Sequence, residues 1–459
     1  MTIMERLRDL FAPSSAPAQN PAPRSEFMRG GRGVVFAGWK PALRDSADDI
    51  GNAWTDAAAR TLDTIHNNGW ISGAIEQAVA NTVGTGLRLK AAPESDQLGM
   101  TDQEARDWAR KVEQRFGLWA NDKVECDMEG RRTLAQMQAA VLRSYFATGE
   151  AFAELPWKKR RAYGTKVRLI QPHRISLKTE AAANVVQGVR MDKDGFPVAY
   201  LAKRKDPIMG DVEWAVPAYD AAWRPRVVHV FDGMPGQVRG ITPLVPALRV
   251  ARQFDQLADA TLTASIIQTV FAATITSDEP TEEVLQGLIT PQEQARLASK
   301  GQSIWDAWFE AQSGWYDSAT IDVGINGRIA HLFPGQKMDF HSAAHPTTEY
   351  KDFSLHLLRE IARCLGLTYE SATGDYEGAT YSSVRMATGE VFAITLYRRA
   401  FLVAPFCQAA YEAWLEEEVE NGTIPFPGGF DGFHRNRAAA CRALWRGCAK
   451  PQADDLKTA

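Results

Sequence analysis

Residues 227–273 read VVHVFDGMPGQVRGITPLVPALRVARQFDQLADATLTASIIQTVFAA, and the change of character inside that stretch decides the fold class. Val227 to Phe231 is a β-branched run of strand type. The block Pro235-Gly236-Gln237-Val238-Arg239-Gly240 intervenes. Thr242 can then cap a helix, and Pro243 suits a first helical position, where a missing N–H costs nothing. From Leu244 to about Ala273 there is no glycine, and one further proline, Pro246, falls in the first turn. The pattern predicts roughly 30 residues of helix, about 45 Å long. That exceeds the usual 8 to 20 residues of a globular helix. Its middle is rich in small residues, Ala258, Ala260, Ala264 and Ser265. Such a helix is expected to stand in an assembly, packed closely against copies of itself.

Before this junction the chain changes from helices to strands. A helix is expected from Asp45-Ser46 to His66, stopped by Asn67-Asn68-Gly69 in left-handed backbone. A second covers about Ile71 to Thr82. Gly84-Thr85-Gly86 turns the chain into a short strand, Leu87 to Lys90. Thr101 to Trp119 is amphipathic, with a Thr101/Glu104 capping box and Trp108, Val112 and Phe116 on one face. Leu134 to Phe146 reads as a further helix. Between Ala151 and Val230 the signals are short strands: Val167 to Ile170, Val185 to Met191 and Val198 to Ala202, with Asp192 to Gly195 as a hairpin turn. After the long helix, residues 277–335 are mixed and carry Trp305, Trp308 and Trp315, which suit a core or an interface equally. They end in a strand-and-turn signature from His331 to Gly335. Helices return at Thr347 to Leu365 and Ser382 to Glu418, with Pro405 as a break. The class is α+β. Residues 12–44, with Pro13, Pro17, Pro21, Pro23 and Gly30-Gly31, read as a flexible arm.

The totals narrow the function. The chain has 459 residues, 45% of them hydrophobic, enough for a large core and two to four domains. Its net charge is −4, so a nucleic acid would be contacted loosely rather than gripped. Five cysteines without a CxxC pair predict reduced thiols, not a disulfide framework or zinc ribbon. The richest apolar stretch, Ile266 to Ile275, is broken by Gln268 and Thr269, short of a membrane span. Met1 to Phe11 carries mixed charge and no signal-peptide pattern, so no membrane crossing is expected.

The sequence carries few signatures of chemistry. There is no Walker A sequence and no Gly-x-Ser-x-Gly elbow. Gly84-Thr85-Gly86 lacks the third glycine of a dinucleotide fingerprint and reads as a tight turn. His341 and His345 are four apart, but Ser342 stands where a metalloprotease has Glu, and Pro346 disfavours a helix. No cofactor or metal is expected. Lys158-Lys159-Arg160-Arg161 is the one basic run: a solvated hairpin tip, with phosphate contact as the alternative. Glu416-Glu417-Glu418 reads as a solvated acidic helix end, or as a channel face that repels phosphates.

Taken in order, several segments resemble the lambda-type phage portal family. They include Ala59-Arg60, Asn67-Asn68-Gly69, Gly73-Ala74-Ile75 and Val83-Gly84-Thr85-Gly86-Leu87, then Gly149-Glu150-Ala151-Phe152 and Leu169-Ile170-Gln171-Pro172. The most specific block, His229 and Phe231 followed by Gly236-Gln237, Arg239-Gly240 and Leu244, is similar to the family's H-x-F … GQ-x-RG … L pattern. Tyr369-Glu370, Gly374-Asp375-Tyr376 and Tyr381-Ser382-Ser383-Val384-Arg385 form the last strong block. The resemblance spans about residues 45 to 457. His66 and Asp455 depart from it, standing where the family has Arg and Pro.

The resemblance implies a portal-type fold: a mixed α/β wing (45–241), a stem helix (242–276), a small α/β clip (277–335), a returning stem helix (336–375), a tunnel-side helix with wing return (376–424), and a C-terminal segment (425–459) whose helical crown is short or missing. It implies a ring, typically of twelve copies, in the virion at the capsid vertex, made in the bacterial host cytoplasm. Double-stranded DNA would pass through, and terminase large subunit, scaffold, major capsid protein and head–tail joining proteins would dock. Twelve copies at −4 each carry −48, which offers a polyanion few cations to hold it. Gly84, Gly86, His229, Gly236, Gln237, Arg239, Gly240, Tyr369, Tyr381, Ser382, Ser383 and Arg385 would be structural motif residues, and none would be catalytic. Three other readings stay open: an inactive truncated prophage copy, an enzyme of unrecognised class, and a membrane-associated pore former.

Overall fold

Short polar side chains set where the chain turns helical. The computed structural model describes residues 41–206, 210–270, 290–301, scattered positions between 303 and 314, and 348–449. Residues 41–45 form no regular element; Ser46 onward is one unit. Helix α1 (Ser46–Asn67) buries Ile50, Trp54, Ala57, Ala58 and Thr61. Helix α2 (Gly69–Thr82) starts at once, because extended Asn68 (φ −108°) accepts the Ile71 N–H at 3.0 Å. The expected left-handed stop is therefore an N-cap; none of Asn67, Asn68 and Gly69 has positive φ. Gly84 (φ +56°) and Gly86 (φ +106°) make the turn into β1 (Arg88–Ala91). After α3 (Ser95–Leu98), α4 (Asp102–Asn121) opens on the expected Thr101/Glu104 capping box and buries Trp108, Val112, Phe116 and Trp119. Past α5 (Lys123–Cys126), a second box, Thr133/Gln136, opens α6 (Leu134–Thr148).

The middle of the chain builds two sheets. The strands are β2 (Glu150–Glu154), β3 (Arg168–Ile170), β4 (Val185–Val186), β5 (Val189–Met191), β6 (Pro197–Asp206), β7 (Gly210–Pro217) and β8 (Val227–Phe231). They pair antiparallel in the orders β3-β2-β8 and β4-β5-β6-β7. The expected single strand from Val185 to Met191 is a hairpin, since Gln187 (φ +49°) and Gly188 (φ +78°) turn it back. The Asp192–Gly195 turn stands as expected: Asp192 accepts N–H bonds from Asp194 and Phe196, and Gly195 is left-handed. Phe152, Ile175, Val189, Tyr200, Ala202, Val216, Ala218 and Val227 form a small core of their own.

The remaining elements are α7 (Val245–Val270), α8 (Pro291–Lys300), α9 (Thr348–Cys364), α10 (Tyr369–Thr373), α11 (Tyr381–Arg398), α12 (Ala404–Glu420), α13 (Gly429–Arg435), α14 (Arg437–Ala440) and β9 (Ala443–Arg446). The long helix begins at Val245, not Pro243. Thr242 Oγ1 accepts the Leu244 N–H at 3.1 Å and donates to the Phe146 carbonyl at 2.6 Å, fixing a turn before it. Pro405 breaks the following helix as expected. Without its N–H the ladder widens, and Arg399–Val403 is a π turn in which Ala404 N–H reaches the Arg399 carbonyl. β9 closes the fold on β1, pairing Arg88 with Arg446 and Ala91 with Ala443.

The main core joins α2, α4, α6, α12 and the buried ends of α7 and α9. Its centre is aromatic: the Phe116 ring lies 5.5 Å from Trp119, 5.5 Å from Tyr411, 5.2 Å from Trp414 and 5.9 Å from Trp445. All five cysteines are unpaired. Residues 1–40, most of 271–347 and 450–459 lie outside the described residues. So do the arm, most of the 277–335 region, His331 to Gly335, the pair His341 and His345, Trp308, Trp315 and Asp455.

Candidate functional site: a buried charged pin and the helices it anchors

At the junction that opens the long helix, two backbones touch. Gly149 (φ +90°) ends α6, and a Cβ there would lie 2.0 Å from the Ile241 carbonyl carbon. A Cβ on Gly240 would lie 2.1 Å from the Gly149 oxygen. Both positions therefore demand glycine, Gly149 on two counts. This approach delivers Glu150, wholly buried, to Arg239, wholly buried. Arg239 Nε donates to Glu150 Oε1 at 2.8 Å, and Nη2 stands 2.6 Å from the same oxygen. Nη1 donates to the Ser176 and Gln187 carbonyls at 3.1 and 2.9 Å, and Nη2 also to Pro172 at 3.1 Å. All five guanidinium N–H groups thus have acceptors. The ring of Trp54 on α1 and that of Phe152 on β2 cover the guanidinium at 5.1 and 5.3 Å. One side chain so ties α1, both sheets and the root of α7.

Glu150 Oε2 completes its shell with the Gly240 N–H at 3.0 Å and His229 Nε2 at 2.9 Å. Burial pushes the Glu150 carboxyl up, but the Arg239 guanidinium and the His229 hydrogen bond outweigh it and hold it below its ordinary value. Burial pushes His229 down, further than Glu150 lifts it. The ring is therefore neutral near pH 7, and Nε2–H donates to the carboxylate. His229 also stacks on Phe152 at 4.0 Å and on Phe231 at 4.5 Å. Gln237 holds the connecting loop: its Oε1 accepts the Met234 N–H at 2.9 Å and its Nε2 donates to the Arg239 carbonyl at 2.7 Å. Gly236 (φ +79°) permits that turn. Gln187, left-handed and non-glycine, donates through its amide to the Ala47 carbonyl. The arrangement positions backbone. Among the described residues, no group of three or more His, Cys, Asp or Glu could hold a metal.

The chain matches the family described as Phage portal protein, lambda family, over residues 32–399. It belongs to that family. It is 26% identical to the portal protein of Escherichia phage N15 over 437 residues, covering 93% of this chain and 81% of that one. It is 27% identical to portal protein B of Escherichia phage lambda, with the same coverages. A chain in the neck of an empty GTA particle is similar at 14% identity and a TM-score of 0.43, covering 83% of this chain and 85% of that one, too loosely to bear on the argument. This is a family of structural portal proteins.

Against the portal motif, the structure brings His229, Gly236, Gln237, Arg239 and Gly240 together and leaves the others apart. Gly84 and Gly86 serve the opposite end of α6, where a Gly86 Cβ would lie 2.6 Å from that of Ala135. Tyr369 is a local clasp: its hydroxyl donates to Asp375 at 2.9 Å under the Arg359 guanidinium. Ser383 closes a capping box with Thr380 at the start of α11, where Tyr381, Ser382 and Arg385 are exposed. The basic run is an exposed tip above the Trp157–Thr165 bridge. There Arg160 donates to the Met128 carbonyl at 2.6 Å and Arg161 pairs with Asp122 at 2.5 Å, which leaves Lys158 and Lys159 turned to solvent. Glu416, Glu417 and Glu418 are not a solvated face: all three are buried. Glu418 binds Arg115 at 2.9 and 3.0 Å, Glu417 accepts the Gly164 and Thr165 N–H groups at 2.6 and 2.8 Å, and Glu416 faces Arg224 and Arg437. Glu150, Trp54 and Gln187 were missed as site residues. A glycine followed by a charged residue at the head of an apolar strand was the available signal for Glu150; for Gln187 it was the segment Gln187-Gly188-Val189, with its glycine inside a strand pattern.

Proposed function

We propose that the chain forms the portal ring at the unique vertex of a tailed-phage capsid, the channel through which double-stranded DNA is packaged and ejected. The observation that carries this reading is a set of helix faces that no described residue covers. α7 is buried at Ala247, Val250, Ala251 and Phe254, but no described residue beyond is buried, and Leu262 is 61% exposed. α9 buries Leu357, Leu358 and Ile361 and exposes Phe353. On α11 and the π turn, Met386, Leu396, Tyr397 and Phe401 are exposed. Exposed apolar patches of this kind mark interfaces. In the ring, 45–241 is the wing, α7 and α9 are the stem helices, 277–335 is the clip and α11 lies on the tunnel side. The ring holds twelve copies in the virion. Terminase large subunit, scaffold, major capsid protein and the head–tail joining proteins dock on it, and the chain catalyses nothing. Among the described residues no helix is long and apolar enough to cross a membrane.

Native mass spectrometry with negative-stain microscopy of the full chain tests this. Closed rings with a central channel wide enough for duplex DNA are expected. A monodisperse monomer at micromolar concentration, or ATP hydrolysis by the purified chain, contradicts the proposal.

A further inference from the structure

A groove between the two sheets, beside α6, collects more positive charge than its surroundings neutralise. Its volume is about 680 Å³. Arg131, Arg132, Arg168, Arg174, Lys203 and Arg204 line it, against two lining carboxylates, Glu129 and Glu154. The chain as a whole is net negative, so this concentration of cations is local. The ion pairs around it are partial. Arg131 and Arg132 share Glu129 at 3.8 and 3.6 Å, and Lys203 stands 4.0 Å from Glu213. Arg168 pairs with Glu154 at 3.0 Å and Arg174 with Asp211 at 2.9 Å, both at partly exposed sites where such pairs are weak. Arg204 is exposed, with no described carboxylate in ion-pair range.

Two further features say what kind of ligand fits. The floor is apolar, with Val141, Ala151 and Phe152 below and Ile170 and half-exposed Trp214 at the sides. One wall is also a strand edge. Val167 points its N–H and C=O away from β2, at the Cys126 carbonyl and the Met128 N–H. Strand alternation turns the N–H and C=O of Leu169 the same way, into the groove, while Arg168 and Ile170 face β2 in the ladder. β3 is an edge strand of its sheet, and no described backbone group pairs with Leu169 on that side. Open strand edges recruit extended peptides.

We propose that this groove docks an extended acidic segment of a partner protein, which adds a strand to β3 at Leu169 and sets carboxylates on alternate residues against the cations. The apolar residues between those carboxylates face the floor. A nucleic acid would use the cations but has no use for a strand edge or an apolar floor. The proposal does not depend on ring formation.

The probe is a fluorescein-labelled nonapeptide of alternating Glu and Val, titrated into the full-length protein and followed by anisotropy. Saturable binding is expected. It should weaken about tenfold in the Lys203→Glu/Arg204→Glu variant, whose changes are on the surface. It should also weaken about tenfold when alternate peptide amides are N-methylated, a change that leaves the protein untouched. The proposal is overturned if the acidic peptide does not bind, if N-methylation has no effect, or if a short single-stranded oligonucleotide binds more tightly and competes the peptide away.

Discussion

The Arg239 pin and the α11 face are opposite answers to the same physical demand. In the pin, every donor of a buried guanidinium and the buried carboxylate beside it are satisfied within one protomer. On α11 Met386 is 76% exposed, on the π turn after it Phe401 is 60% exposed, and only Thr395 and Arg398 of the helix are buried. Polar groups left unmade inside cost free energy at once, so the pin is finished on folding. Apolar surface left outside is tolerated until a neighbour covers it. The contrast separates residues that build the protomer from residues that wait for assembly, and each part of it can be broken by mutation.

The largest effect is expected at Arg239. Arg239→Met leaves Glu150 buried without its cation, and should lower unfolding free energy by about 3–5 kcal/mol. Urea denaturation read by Trp fluorescence measures it. Arg239→Met with Glu150→Gln should recover part of that loss, because the uncompensated charge is gone. Equal losses in the single and double variants would show that packing against Trp54 and Phe152, not charge, makes the contribution.

The same pin should make the protomer acid-sensitive. The folded His229 and Glu150 both have lowered pKa values, from burial for the imidazole and from Arg239 overcoming burial for the carboxyl. In each case the unfolded chain binds a proton that the folded chain refuses, so stability rises with pH. The His229 contribution is present above about pH 6.5, the ordinary histidine value, and declines below it; the Glu150 contribution declines below about pH 4.3. The urea midpoint should therefore fall between pH 7.5 and 5.5, and the slope should flatten in His229→Gln. An unchanged slope would place the acid sensitivity at other histidines.

How much of this could be read beforehand follows from the distance over which each cause acts. Thr101 with Glu104, the Asp192–Gly195 turn and the Pro405 break are local devices, fixed within a few residues, and they stand where the sequence puts them. The GQ-x-RG block was visible as a motif, but its purpose was not, since its partner Glu150 lies 89 residues away. The acidic run at 416–418 looks solvated in the sequence because its cation partners are remote: Arg115 is 303 residues from Glu418. β7 was missed although its sequence alternates, with Val212, Trp214 and Val216 set between Asp211, Glu213 and Ala215; what the alternation does not tell is that Val212 and Trp214 stay exposed. The β4–β5 turn was missed because its left-handed first residue is a glutamine; Gly188 beside it is the one compositional sign of the turn.

A smaller loss is expected at Asn68, which belongs to the finished interior. Its Oδ1 caps α2, and its Nδ2 donates to Asp255 on α7 at 2.7 Å. Asn68→Ala should cost about 1–2 kcal/mol. Asn68→Asp keeps the cap while setting a second carboxylate against Asp255, so the difference between the two variants isolates the link to the long helix.

The smallest effect on the protomer is expected where the effect on assembly is greatest. Met386→Ser and Phe401→Ser remove side chains that are mostly exposed, Phe401 touching only the partly exposed Tyr397 ring among aromatic neighbours, so protomer stability should stay within about 0.5 kcal/mol. If these residues wait for a second copy, the same substitutions leave a polar group at a desolvated interface, and native mass spectra should shift from rings to monomers. If rings persist unchanged while urea stability falls, the face belongs to the protomer after all, and the division between finished and waiting surfaces fails at α11. Because the pin variants predict the reverse pattern, unstable protomers whose interface residues are intact, measuring both quantities on both sets decides the comparison without reference to either set alone.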